Sequence, residues 1–336
     1  YMRDTYFTSR EKTALAIAIA NRERHILKDL NWENGYSLYV GIPFCPSICL
    51  YCSFSSSPLK VWKNRVDEYL DALCREIDGA SPIFADRELN TVYIGGGTPT
   101  TLEPEQMDRL LTKLEERFDY SRLLEFTVEA GRPDSITREK LQVLKHHNVT
   151  RISINPQTMN QATLDLIGRK HTVEQTSEAF YLAREMGFDN INMDLIVGLP
   201  GEGKEAVEHT MDEIGKLDPD SVTVHSLALK RAARLNLFKD EYQDISFQNS
   251  SEIMDMTASR CERAGLFPYY LYRQKNMAGN FENVGYARDG KAGIYNILIM
   301  EEVQSILALG AGGSTKVVYG PDRIERIENV KDIRNY

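Results

Sequence analysis

The chain has 336 residues, 42% of them hydrophobic and 26% charged, the balance of a globular protein with one large domain or two. The net charge of −9 is spread without a basic block, which argues against a nucleic-acid surface. No stretch reaches the roughly 18 apolar residues of a membrane span, and no secretory signal is visible. The first residue is Tyr rather than Met, so a longer chain upstream is expected.

Residues 1–36 read as a charged, largely helical lead-in. From Ser9 to Asp29 there is no Gly or Pro, although the Ala–Ile alternation inside suits helix and strand periods alike. From residue 37 short apolar runs alternate with helical stretches. The strand candidates are 37–42, 91–94, 124–129, 149–154, 191–197 and 221–227. The helix candidates are 61–79, 104–118, 136–147, 172–186 and 204–217. Ser135 with Glu139, and Thr172 with Gln175, look like helix start signals, and Gly187 sits where a helix would end. Six βα units in a row predict an α/β fold, a parallel sheet with right-handed crossovers that is either open or curled into a barrel. Ligand sites then belong at the carboxyl ends of the strands. After residue 240 the rhythm breaks. A helix is expected near 250–264, then a β-rich stretch with the aromatic run 267–272 and a glycine turn at 310–314. Residues 37–240 are read as the core and 241–336 as a smaller appended α+β module.

Three of the five cysteines, Cys45, Cys49 and Cys52, fall within eight residues in a C-x3-C-x2-C spacing just after the first strand. Clustered thiols without a signal peptide indicate a metal site in a reducing compartment, here the cytoplasm. Three thiolates on one loop can hold three irons of a cubane cluster and leave the fourth iron open to a chelating ligand. A structural zinc would want a fourth Cys or His nearby, and the nearest histidines are His25 and His146. Three incidental cysteines are the remaining alternative. Cys74 and Cys261 read as packing residues.

Gly95-Gly96-Gly97-Thr98-Pro99-Thr100 ends the second strand. Consecutive glycines allow close backbone approach to a ligand, and their amides can bond a carboxylate. No Gly-Lys-Ser/Thr follows, which excludes a nucleotide P-loop. Polar residues then recur at strand ends: Glu129, Gln157, Arg169 twelve residues on, and Asp194 inside an otherwise apolar strand. A buried Asp is costly unless paired, and a bridge to Arg169 or an N-capping role is the plain structural account.

C-x3-C-x2-C after a first strand resembles the signature of the radical S-adenosylmethionine superfamily. Tyr39, Pro43, Phe44, the three cysteines, Gly95 to Thr100, Glu129, Gln157, Arg169 and the run Asp194 to Pro200 together resemble the oxygen-independent coproporphyrinogen III oxidase family over about residues 37–320. The segments 154–157 and 225–230 look most like its HemZ-type coproporphyrinogen dehydrogenase branch. The resemblance implies a partial (βα)6 TIM-like radical-SAM barrel. It implies a 4Fe–4S cluster on the cysteines and one or two molecules of S-adenosylmethionine. Tyr39, Gly96 and Glu129 would hold the cluster-bound cofactor, and Tyr51 would contact its adenine. Gly97, Thr98, Gln157, Arg169 and Asp194 match positions that hold a second cofactor molecule, Asp194 on ribose hydroxyls and Arg169 on a carboxylate.

The implied reaction is oxidative decarboxylation of coproporphyrinogen propionates to vinyl groups, begun by a 5′-deoxyadenosyl radical and fed by an external donor such as flavodoxin or ferredoxin. Lys230, Arg231, Arg234, Arg273 and Lys275 are candidate propionate anchors. One departure stands out. The oxidase has a fourth cysteine two residues after the third, where this chain has Phe54, as in the haem-chaperone branch. A haem carrier, and another radical reaction on a porphyrin such as anaerobic haem degradation, are therefore the competing readings.

Overall fold

The computed structural model describes residues 1–28, 30–54, 56–228, 233, 249–274, 277, 279, 281–320 and 322–336. Its principal elements are α1 (Arg10–Ile26), β1 (Gly35–Ile42), α2 (Val66–Ala80), β2 (Glu88–Gly96), α3 (Pro104–Arg117), β3 (Glu125–Glu129), α4 (Arg138–His146), β4 (Arg151–Ser153), α5 (Val173–Glu185), β5 (Ile191–Val197), α6 (Lys204–Leu217) and β6 (Ser221–Ser226). There follow α7 (Ser251–Arg263), β7 (Phe267–Tyr272), β8 (Asn283–Ala287), α8 (Ile294–Met300), β9 (Ser305–Leu309), β10 (Ser314–Gly320) and β11 (Arg323–Glu328). Among the described residues no helix is long and apolar enough to cross a membrane.

The start signals behave as local chemistry dictates, with one exception. Ser9 caps α1, so the ambiguous Ala–Ile run is helical, and Thr172 with Gln175 forms a reciprocal capping box on α5. Gly187 follows α5 with a φ of 82°. Ser135 does not cap α4. It lies in a short turn and bonds the Arg132 carbonyl, while Thr137 accepts from the Lys140 amide and caps the helix two residues later. The helix expected over 61–79 is broken by a 3₁₀ turn at Lys63–Arg65. The short helix Gln161–Leu166 and α8 carry no strong sequence signal.

The main sheet runs β11-β10-β9-β1-β2-β3-β4-β5-β6-β8-β7. From β9 to β6 every neighbouring pair is parallel, and both margins are antiparallel. Strands from the last hundred residues thus extend the sheet on both sides. Arg22 of α1 ties the lead-in helix to the β8 end, donating to the carbonyls of Ala287 (3.0 Å) and Arg288 (3.2 Å).

Alternation along the strands decides what each face does. Leu38, Val40, Val92, Ile94, Phe126, Val128, Ile152, Met193, Leu195, Val222 and Val224 are buried in one core with the helices. The alternate residues, in register across the sheet, are polar or aromatic: Ser37, Thr91, Tyr93, Thr127, Glu129, Arg151, Ser153, Asn192, Asp194, Thr223 and His225. Parallel strands covered on both faces read as continuous apolar runs. These do not, because one face borders a polar lumen.

Side chains from β2 through β7 line a single cleft there. Six strand steps of about 4.8 Å would set those two strands nearly 30 Å apart on a flat sheet. The sheet therefore curls around the lumen as a partial barrel. Cross-strand packing enforces the curl at β8, where a Cβ on Gly285 would come within 1.9 Å of the Tyr270 ring.

Candidate active site

The cysteine loop leaves the carboxyl end of β1 and is tied down on several sides. Phe44–Cys45 pairs with Ser57–Pro58, the Leu50 amide donates to the Ile167 carbonyl (3.0 Å), and the Ser47 hydroxyl donates to the Gly168 carbonyl (2.8 Å). Cys45, Cys49 and Cys52 are free thiols, and all three line a cavity of about 370 Å³. The Thr98 hydroxyl donates to Cys45 Sγ at 3.7 Å, and Arg132 Nη1 to Cys49 Sγ at 3.9 Å. Burial pushes the Cys45 thiol up and Cys52 to about 11. Three thiolates here need a compensating positive group, as an iron–sulfur cluster provides, and donors to sulfur are a means of tuning one. Among the described residues no three Cys, His, Asp or Glu side chains gather to hold a single ion. A cubane spreads its ligands over three irons, and the residues present suit it. Cys261 is buried in the apolar core and Cys74 is half-buried on α2, so both pack as expected.

The glycine run sits against this loop. The Gly97 amide donates to the Ile42 carbonyl and the Thr98 amide to the Phe44 carbonyl, both at 2.7 Å. Those two amides are therefore not available to a ligand carboxylate, contrary to the sequence expectation. A Cβ on Gly97 would lie 2.5 Å from the Phe44 oxygen, so the glycine is required by the loop itself. Gly96, Gly97 and Thr98 still line the cleft.

Glu129 ends β3, and its carboxylate accepts from the Tyr93 hydroxyl. Tyr93 lies in a stack between Tyr39 (6.2 Å) and Tyr295 (4.5 Å). Tyr93 lines the cleft, and Tyr39 stacks against it from behind. Burial, then the Asp194 charge, push Glu129 up to about 7 against the pull of the Tyr93 hydroxyl. A carboxyl in this state favours a bound ammonium, which would restore its charge. The raised value also costs stability in the ligand-free protein. The folded chain keeps a proton that the unfolded chain releases, so stability is highest below about 4.5 and falls as pH rises to about 7, by on the order of 3 kcal/mol. Glu129→Gln is expected to flatten the melting temperature across that window, and an unchanged slope would overturn the assignment.

Asp194 does not bridge to Arg169. Its Oδ1 accepts from Asn192 Nδ2 (2.7 Å), and Oδ2 faces His225 Nε2 at 3.7 Å. Burial works against its charge, but His225, Asn192 and Thr223 together hold the carboxyl below the usual range. Tyr272 OH lies 3.3 Å from the other His225 nitrogen, extending the column across the cleft. Gln157 has a φ of 68°, a conformation that side chains rarely adopt, and its buried Oε1 has no partner. An orphaned acceptor on a strained residue in the cleft suits a ligand with donors, as S-adenosylmethionine has. Arg169 is already engaged. Its Nη2 donates to the carbonyls of Asn155 (2.6 Å) and Gly131 (3.0 Å), and Nη1 to Tyr51 OH (3.2 Å). Through that last bond it fixes the Tyr51 ring at the cleft wall.

The cleft thus gathers Cys45, Cys49, Tyr51, Cys52, Gly96, Gly97, Thr98, Glu129, Gln157, Arg169 and Asp194. Sequence reading misses Tyr93, Arg132, Arg151, Asn192 and Tyr272; the period-two pattern places Asn192 on the face of Asp194, and the strand register is needed for Tyr93, Arg151 and Tyr272. Among the proposed propionate anchors, Lys230, Arg231, Arg234 and Lys275 lie outside the described residues. Arg273 is exposed and does not line the cleft; its neighbour Gln274 does.

A model of the radical SAM superfamily matches residues 39–214. The chain is 42% identical over 340 residues to the oxygen-independent coproporphyrinogen-III oxidase-like protein HemZ of Bacillus subtilis, covering all of this chain and 68% of that protein. It is 36% identical over 238 residues to the heme chaperone HemW of the same organism, covering 70% of this chain and 62% of the relative. The structure of coproporphyrinogen III oxidase HemN from Escherichia coli, a radical SAM enzyme, superposes with a TM-score of 0.71 at 25% identity. The match covers 94% of this chain and 71% of that one. The chain therefore belongs to the radical SAM superfamily, which pairs a 4Fe–4S cluster with S-adenosylmethionine, and within it to the HemN/HemZ family.

Proposed function

We propose that the protein is a radical oxidoreductase of tetrapyrrole metabolism that decarboxylates propionate arms of coproporphyrinogen III to vinyl groups. One observation carries this reading. The cysteine loop and the polar lumen form a single cleft, so a cluster-bound cofactor and a substrate arm can meet inside it. When bound, the cluster and S-adenosylmethionine supply the carbon radical that takes one hydrogen from the arm. Each propionate then loses CO2 and one electron, which an external one-electron acceptor must take, and a vinyl group remains.

The chain's own residues position and enclose. Thr98 and Arg132 hold the sulfurs, Glu129 accepts an ammonium, Gln157 offers its free acceptor, and Tyr51 forms a wall fixed by Arg169. A flavodoxin- or ferredoxin-type donor in the cytoplasm supplies the reducing electron. In this reading the protein takes one or two molecules of S-adenosylmethionine, as the family resemblance implies.

The second reading, a haem carrier, is favoured by Phe54. It stands beside Cys52, lines the cleft and is 74% exposed. The test is anaerobic. The cluster is reconstituted, then dithionite, S-adenosylmethionine and coproporphyrinogen III are added, and the tetrapyrrole is followed by mass spectrometry. Loss of CO2 and two hydrogens per converted propionate is the expected result. An unchanged tetrapyrrole with haem retained tightly would move the assignment to the carrier.

A further inference from the structure

Three guanidinium groups line the cleft, and their partners differ. Arg132 donates through Nε and Nη2 to Asp134, each at 3.1 Å, and through Nη1 to Ser47 and Cys49. Arg169 is held by two carbonyls and Tyr51. Arg151 is different. It is 2% exposed, and among the described residues its guanidinium makes a single hydrogen bond, from Nη2 to the Ser221 hydroxyl (2.9 Å), whereas Arg169 makes three; the buried Nε of each has no partner. Glu125 is the nearby acid on β3. Its oxygens accept from the Ile294 amide (2.6 Å), the Tyr295 amide (3.3 Å) and the Thr127 hydroxyl (3.0 Å). No described carboxylate forms an ion pair with Arg151. A buried cation with one neutral partner carries a desolvation cost that a ligand anion would offset.

Register fixes its depth. Arg151 opens β4 opposite Thr127, while Ser153 stands opposite Glu129. Two residues of parallel strand put Arg151 about 7 Å below the Glu129 level, on the lumen floor. We propose that Arg151 is the anion site of this cleft and receives the carboxylate of a substrate side arm. This deepens the tetrapyrrole reading and rests on it: a macrocycle near the cysteine loop would send one acidic arm down the lumen. The planar guanidinium fork suits a carboxylate better than an ammonium would.

The test measures binding in the reconstituted holoprotein, independent of turnover. Coproporphyrin III, its tetra-N-methylamide and S-adenosylmethionine are each titrated into wild type, R151Q and R151K. Wild type is expected to prefer the tetracarboxylate. R151Q should weaken coproporphyrin binding about 10–100-fold and abolish that preference, with R151K falling between. Affinity for S-adenosylmethionine and iron content should be unchanged. Loss of cofactor affinity with porphyrin affinity kept would assign the anion to the cofactor's carboxylate and overturn the proposal. Unchanged affinities for both would overturn it in favour of a purely structural arginine. If R151Q does not fold, R151K and the wild-type comparison still decide, since equal affinity for acid and amide contradicts an anion site. Carboxylate-dependent binding without turnover would sink the decarboxylase reading and leave this one standing.

Discussion

Serine at Cys45, Cys49 or Cys52 is expected to give a folded protein that cannot retain its cluster or cleave S-adenosylmethionine reductively. Each thiol sits on one tethered loop and lines the cleft, and each would hold a different iron, so no neighbour can replace a missing one. The loop's tethers to Ile167 and Gly168 do not involve the sulfurs, so the melting temperature of the cluster-free protein should change little. The remaining cysteines give the contrast. Cys74→Ser, on a half-exposed helix position, should keep full iron content. Cys261→Ser should keep iron but lose about 1–3 kcal/mol of stability, because a hydroxyl would enter an apolar site where burial already pushes the thiol up to about 12. Iron and sulfide analysis with 5′-deoxyadenosine assay decides this. Full iron content in any of the three loop variants would refute the ligand assignment.

Gly97→Ala is expected to damage the site nearly as much without touching a ligand. The new methyl would meet three backbone atoms, the Phe44 oxygen and carbon and the Ile42 oxygen, at 2.5, 2.9 and 3.0 Å. Backbone cannot rotate aside as a flexible side chain can. The strand end and the loop must separate, breaking the Gly97–Ile42 and Thr98–Phe44 hydrogen bonds that set the height of Cys45. The expected cost is about 1–3 kcal/mol, with poor cluster incorporation. Gly79→Ala, on α2, should do the opposite. Nothing lies within 4 Å of its added Cβ, so it should raise stability by about 0.5–1 kcal/mol. Thermal melts and iron content of the two variants test the pair, and a Gly97→Ala protein with normal values of both would contradict the geometry.

Much of this site is legible in local sequence, and its failures share a cause. The spans of β5 and α6 and the capping of α5 follow from periodicity and from groups within a few residues of each other. The cysteine spacing places three thiols on one loop for the same reason. Asp194 looked isolated in an apolar strand because the strand was read as a run; read at period two, it shares a face with Asn192. The amide of Gly97 and the guanidinium of Arg169 read from sequence as ligand donors, yet carbonyls of distant segments accept from them, and no local pattern encodes such partners. Arg151 went unnoticed because an arginine opening a strand resembles a surface charge. Only the strand pairing shows that it points into the lumen.

The place of β9 bears on how the protein is made. Tyr36 pairs with Ser305 and Val40 with Leu309, so the strand that launches the cysteine loop acquires one neighbour on the order of 270 residues after its own synthesis. At about 5–20 residues per second, a ribosome needs some tens of seconds to close that interval. Through that time β1 presents an unpaired edge to any holdase or rival strand, and its loop carries three thiols. Cluster insertion is expected to follow the sealing of that edge rather than the synthesis of the cysteine loop. A nascent chain stalled before β9 should be a poor acceptor for the cluster even though every ligand is already present.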